Sequence, residues 1–167
     1  SDDWRPAAWK LLPQAFADAI AVLLNACERH GRFPGATEDV IVAMISKEKG
    51  NAPSKQRPIA VAICLYRLWS SCRFKALRSW ITTWAHRDIA GGVPGVGTKD
   101  ILWKMMLIQD KCEAEGTGCP EVAIDAMKYF DLIDWDIIFG LAQSYGFPQR
   151  TTNLLREHYK KIKRHIR

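Results

Sequence analysis

The stretch Ala123-Ile124-Asp125-Ala126-Met127-Lys128-Tyr129-Phe130-Asp131, continued by Leu132-Ile133-Asp134, decides how this chain is read. Glu121 to Asp125 is a short apolar run ending on a carboxylate, and it predicts a strand. An aspartate at the end of a strand stands at the edge of a sheet, open to a cleft. Hard cations such as Mg²⁺ take such oxygen ligands together with substrate phosphates. Two-metal phosphoryl transfer needs further carboxylates from another segment. A turn former or a helix cap fits the same aspartate equally well.

Upstream of this stretch, Gly116 to Pro120 turn the chain, and a helix runs from Thr98, as N-cap, to about Glu115. Residues 88–97 (DIAGGVPGVG) hold four glycines and a proline and read as a loop. Residues 63–81 carry Leu65, Leu68, Trp69, Cys72 and Leu77 at helical spacing. Arg57-Pro58-Ile59 opens an apolar run, and Lys47 to Gln56 is polar and reads as a mobile loop. Residues 39–46 (DVIVAMIS) form a β-branched run of strand length. Residues 13–30 are an amphipathic helix on Phe16, Ile20, Leu23, Leu24 and Cys27, started by Pro13 and stopped by Gly31. Downstream, Asp134 to Tyr145 is helical and stops at Gly146, and Pro148 to Arg167 reads as a final basic helix. There is no internal repeat.

With 167 residues, 48% hydrophobic and 25% charged, the chain suits one domain or part of a larger one, and a disordered chain is excluded. No apolar run approaches the ~18 residues of a membrane helix. Ser1-Asp2-Asp3-Trp4 does not open a signal peptide, so no membrane association is expected from this stretch. Cys27, Cys64, Cys72, Cys112 and Cys119 form no C-x-x-C, and His30, His86, His158 and His165 do not complete a zinc site. They read as reduced thiols packed as small hydrophobes in an intracellular protein, nuclear or cytoplasmic.

The net charge of +6 is unevenly spread: −1 over residues 1–50, +6 over 51–110, −4 over 111–150 and +5 over 151–167. Two basic blocks that attract polyanions thus flank an acidic one where a divalent cation could sit. Solvated helix faces account for the same blocks.

Asp125 to Asp134 resembles motif A of reverse transcriptases, in the D-x-x-x-x-F-D-x-I-D form of group II intron and non-long-terminal-repeat retrotransposon enzymes. The helix, Gly146-Phe147-Pro148 turn and second helix after it fit that family. Upstream, Gly31-Arg32-Phe33-Pro34, Ile45-Ser46-Lys47 and Gln56-Arg57-Pro58-Ile59 resemble the fingers segment G-x-x-P … I-P-K … x-R-P-I. Tyr66-Arg67-Leu68 matches the helix that follows. Gly91 to Asp100 is a looser match to a glycine-rich loop, with Val93 and Val96 where relatives often carry aromatic or basic residues. The resemblance covers residues 10 to 160 in order.

The resemblance implies an α+β fold: the fingers and first part of the palm of a right-hand polymerase, mostly helical with a few short antiparallel strands. Residues 1–120 would be the N-terminal and fingers region and 121–167 the start of the palm. The implied activity is template-directed transfer of deoxynucleotides to a primer 3′-hydroxyl, with an RNA template, a DNA primer, deoxynucleoside triphosphates and two Mg²⁺ as partners. Asp125 would bind both ions and the carbonyl of Ala126 one of them. Phe130 would exclude a 2′-hydroxyl. Lys128 and the backbone of Tyr129, which is Ala in many retrotransposon enzymes, would lie near the triphosphate. Lys47 and Arg57 would grip its outer phosphates from a closing hairpin. Asp131 and Asp134 read as a turn residue and a helix cap.

The family's later aromatic-x-Asp-Asp turn, the glycine-rich motif before it and the thumb have no counterpart in this stretch, so these 167 residues alone are expected to be inactive. Trp69, Trp80 and Trp84 lie in the first basic block and read as helix core or as base-stacking platforms. Two other readings stand beside the enzyme: a non-catalytic nucleic-acid-binding module derived from a retroelement, and a purely helical interaction domain.

Overall fold

A computed structural model of the chain describes residues 7–46, 56–125 and 132–166. The architecture is mixed α+β. Its elements are α1 (Gln14–His30), β1 (Asp39–Ser46), β2 (Gln56–Val61), α2 (Cys64–Trp84), α3 (Thr98–Ala114), α4 (Trp135–Ser144), α5 (Gln149–Lys161) and β3 (Lys163–Ile166). They fall into two compact units, Ser1–Lys75 with Phe139–Arg167, and Ala76–Ile138. The three strands rule out a purely helical domain.

In the first unit, α1 ends at Gly31, whose φ of 66° is left-handed and strains any residue with a Cβ. The Arg32 N–H donates to the Cys27 carbonyl at 3.1 Å, which reverses the chain and turns Phe33 inward. Phe33 is buried against Tyr66 and Trp69 of α2 and His158 of α5, with ring centroids 5.5, 5.0 and 5.0 Å away. Cys27, Trp69 and Leu154 complete this core, and Leu154 is 0% exposed. On α1, the Glu28 carboxylate accepts a hydrogen bond from Trp69 Nε1 at 2.7 Å and pairs with the Arg73 guanidinium. Such an enclosed carboxylate is stable because charged and neutral donors both satisfy it.

The sheet has the order β2-β1-β3. β1 sends Val40 and Val42 inward at alternate positions. β2 runs antiparallel to it, from Ile41 opposite Val61 to Ser46 opposite Gln56. Pro58 has no N–H to give a second neighbour, which suits β2 to the edge it occupies.

The other edge of β1 corrects two expectations. The final helix stops at Lys161 instead of continuing to Arg167, and Lys163–Ile166 forms β3. That strand pairs parallel with β1, from Asp39 opposite Lys163 to Val42 opposite Ile166, so the sheet is not wholly antiparallel. The Lys163 N–H donates to the Glu38 carbonyl at 2.8 Å. An open strand edge offers a row of unpaired backbone groups, and the chain leaving α5 satisfies them.

In the second unit, α2 runs to Trp84, past the expected end at 81. The N-cap of α3 is Gly97 and not Thr98. The Asp100 carboxylate reaches back to the Gly97 N–H at 2.7 Å, and this places the cap one residue earlier. Glu121 to Asp125 does not form the expected strand: it carries no regular secondary structure and is exposed throughout, with Val122 84% and Ile124 90% accessible. A strand exists only through its ladder, and no neighbour pairs with this segment among the described residues. Asp134 caps α4 as expected, accepting from the Asp136 N–H at 2.8 Å and the Ile137 N–H at 3.4 Å.

Leu154→Ala should lower unfolding stability by about 2–5 kcal/mol in urea titrations, because it empties the centre of the core. Leu102→Ala, at an exposed position of α3, should change it by less than about 0.5 kcal/mol.

Candidate functional site

The candidate chemistry is divided between the two units. Asp125 is exposed at the end of the irregular segment after α3. That segment is held to α3 by a hydrogen bond from Gln109 Nε2 to Glu121 Oε1 at 2.7 Å. Arg57 lies near the start of β2, exposed and opposite Ile45. Lys47, Ala126, Lys128, Tyr129, Phe130 and Asp131 lie outside the described residues. No three His, Cys, Asp or Glu side chains are grouped to hold a metal ion among the described residues. Among the described residues Asp125 is a single exposed carboxylate, and Asp134 is committed to its cap.

The tryptophans divide between their two readings. Trp69 is 3% exposed and belongs to the core. Trp80 and Trp84 lie one helical turn apart on α2, with ring centroids 5.3 Å apart. The cysteines are all free thiols, but only Cys27 and Cys64 are buried; Cys72 is exposed, and Cys112 and Cys119 are half-buried.

Sequence reasoning saw the basic block at 151–167 but missed that its end forms an edge strand of the sheet in the first unit. Lys163, Arg164 and His165 on β3 are exposed, as are Lys160 and Lys161 at the end of α5. In β3, Lys163 and His165 point to one face of the sheet and Arg164 to the other. His165 Nε2 lies 2.8 Å from Asp39 Oδ1, and this hydrogen bond lowers the Asp39 pKa below the usual carboxylate range. The pairing was hidden because Lys163-Arg164-His165-Ile166 continues the composition of α5, and its partner lies more than a hundred residues away.

A second feature is an open cavity of about 430 Å³ between α1 and α2, lined by Trp9, Phe16, Ile20, Leu24, Leu68 and Cys72. It explains why Phe16 remains partly exposed although it belongs to the apolar stripe of α1. A third is His158, buried and stacked on Tyr66 with ring centroids 4.7 Å apart. Burial lowers the His158 pKa, opposed in part by the Glu38 carboxylate. Burial also raises the Tyr66 pKa, reinforced by Tyr159.

Compared with family models and with curated proteins, the chain matches none. No helix among the described residues is long and apolar enough to cross a membrane.

A pH dependence follows from His158. Its pKa is lowered in the folded state, so below about 6.5 the unfolded chain takes up a proton that the native state refuses. The stability that neutral His158 supplies is therefore complete above that value and declines as the pH falls toward the native pKa. In urea titrations between about pH 7.5 and 5.5, His158→Phe should lose less stability on acidification than the parent chain.

Proposed function

We propose that this chain is the fingers and first part of the palm of a reverse transcriptase of the group II intron and non-long-terminal-repeat type. The observation that carries the reading is the frame following Asp125. Asp134 caps α4, and the Gly146-Phe147-Pro148 turn leads into α5, at the spacing of motif A and its two following helices. The antiparallel pair β1–β2, which bears Arg57 opposite Ile45, and α2 after it add support in the same order. The missing strand at Glu121 to Asp125 means that the sheet contributes no support at that position.

In the reaction proposed, the primer 3′-oxygen attacks the α-phosphorus of a deoxynucleoside triphosphate and pyrophosphate leaves. Asp125 supplies one of the carboxylates that hold Mg²⁺, which when bound neutralises charge developing on the phosphates. The complete centre would take further carboxylates from the family's later aromatic-x-Asp-Asp turn, since Asp134 is committed to its cap. The Arg57 guanidinium, with Lys47, suits the outer phosphates. Phe130 would crowd a 2′-hydroxyl.

The test uses a version extended to contain an aromatic-x-Asp-Asp turn. Asp125→Asn should abolish primer extension, since it removes a ligand charge, with the fold intact by circular dichroism. Phe130→Ala should raise ribonucleotide incorporation by at least tenfold, roughly the effect of losing one methylene-scale steric contact. Full extension by Asp125→Asn would overturn the reading.

A second reading, a non-catalytic nucleic-acid-binding module, is favoured by the exposed basic edge at Lys160, Lys161, Lys163 and Arg164. It requires RNA binding that falls steeply with salt and is unchanged in Asp125→Asn.

A further inference from the structure

We propose that a small cavity beside His158 binds one long-lived structural water, which links the His158 ring to the Glu38 carboxylate and fastens the end of α5 to the segment entering β1. The site is independent of the polymerase reading.

The cavity lies within the first unit and has a volume of about 10 Å³, room for a single water. One wall is the end of α5, with Glu157, His158 and Lys161. The other is the connection from α1 to β1, with Arg32, Phe33 and Glu38. These walls already meet in two ways. The Phe33 and His158 rings pack edge to face with centroids 5.0 Å apart, and the Lys163 N–H donates to the Glu38 carbonyl at 2.8 Å.

His158 is 4% exposed. Its ring is stacked on Tyr66 and set against Phe33, so aromatic faces enclose it. Its Nδ1 is fully buried and has no hydrogen-bond partner among the described residues. An enclosed ring nitrogen left unsatisfied is costly, and folded proteins answer such groups with a side chain or an ordered water. Burial lowers the His158 pKa and so keeps the ring neutral at pH 7. A neutral imidazole has one donor and one acceptor nitrogen, and water can serve either.

Size and charge select water over other ligands. The cavity is too small for phosphate, and the carboxylates of Glu38 and Glu157 in its lining repel an anion of any size. No three His, Cys, Asp or Glu side chains are grouped to hold a metal ion among the described residues. A buried water needs more than one polar partner. Arg32 and Lys161 are exposed, and Glu157 pairs with Lys160 at 3.7 Å, whereas Glu38 is half-buried in the lining. Glu38 therefore supplies the second partner. The water donates one hydrogen to its carboxylate and turns its other hydrogen or a lone pair to His158 Nδ1. The Glu38 carbonyl already anchors β3, so the water adds a side-chain tie where α5 passes into that strand.

The test uses the folded full chain, isotopically labelled at histidine, above neutral pH. Cross-relaxation between the His158 ring protons and water is read in the laboratory and rotating frames. The expected result is NOE and ROE cross-peaks of opposite sign, the mark of a water that stays far longer than surface hydration. Tyr66→Phe should keep them, which separates water from the neighbouring phenol hydroxyl. A second measurement counts long-lived waters by oxygen-17 relaxation dispersion. Glu38→Leu and His158→Phe, checked for folding by circular dichroism, should each hold one such water fewer than the parent. Cross-peaks of equal sign in the parent, or none, overturn the site. So does their loss in Tyr66→Phe, or an unchanged count in either Glu38→Leu or His158→Phe. Should a variant fail to fold, the sign of the parent's cross-peaks still decides.

Discussion

The packing of Phe33 is the constraint on which the first unit depends. Its ring meets side chains from α2 and α5 at once, and it can do so only because Gly31 ends α1 in a left-handed turn. The Glu28 carboxylate, held by Trp69 and Arg73, fixes α1 on α2 beside it. These contacts use Trp69 twice, as a ring in the core and as an indole donor. Elements distant in sequence are thereby joined around one aromatic cluster, with Leu154 at its centre. The sheet follows from the same arrangement. Chain leaving α5 emerges beside Glu38, within reach of the open edge of β1.

The second unit is held differently. Its described ends are made by polar capping: Asp100 at the start of α3, the Gly116 turn at its end and Asp134 at the start of α4. Lys104 pairs with Asp88 across the glycine-rich loop. None of α3 is buried, although Leu102, Trp103, Met106 and Leu107 are large and apolar. Local hydrogen bonds thus define this unit where apolar burial defines the first. Asp125 belongs to it, on a segment secured to α3 at Glu121.

How much could be read in advance depended on whether the signal was local. Pro13 and Gly31 bound α1 as expected, because a proline start and a glycine stop act within one turn. The β-branched run 39–46 gave β1 with its expected bounds. Asp134 was legible as a cap for the same reason. The cap of α3 was misplaced by one residue because Thr98 is the better capping side chain, while Asp100, three residues beyond Gly97, decided the matter. Of the candidate site, Arg57 could be placed at the opening of an apolar run, which is β2, and Asp125 on the segment after α3. The strand assigned to Glu121 to Asp125 failed because an apolar run has the composition of a strand whether or not a partner strand exists.

The sequence by itself determined α1, β1, the cap of α4 and the division into basic and acidic blocks, since each rests on periodicity, capping or charge within a few residues. The tertiary structure alone decided that the last residues form a parallel strand on β1 and that Trp69 is core while Trp84 is exposed. Those outcomes depend on which backbone edge is left open, which side chains meet across elements and how a helix end reverses the chain. Composition carries none of that information, because the partners are chosen only when the chain is packed.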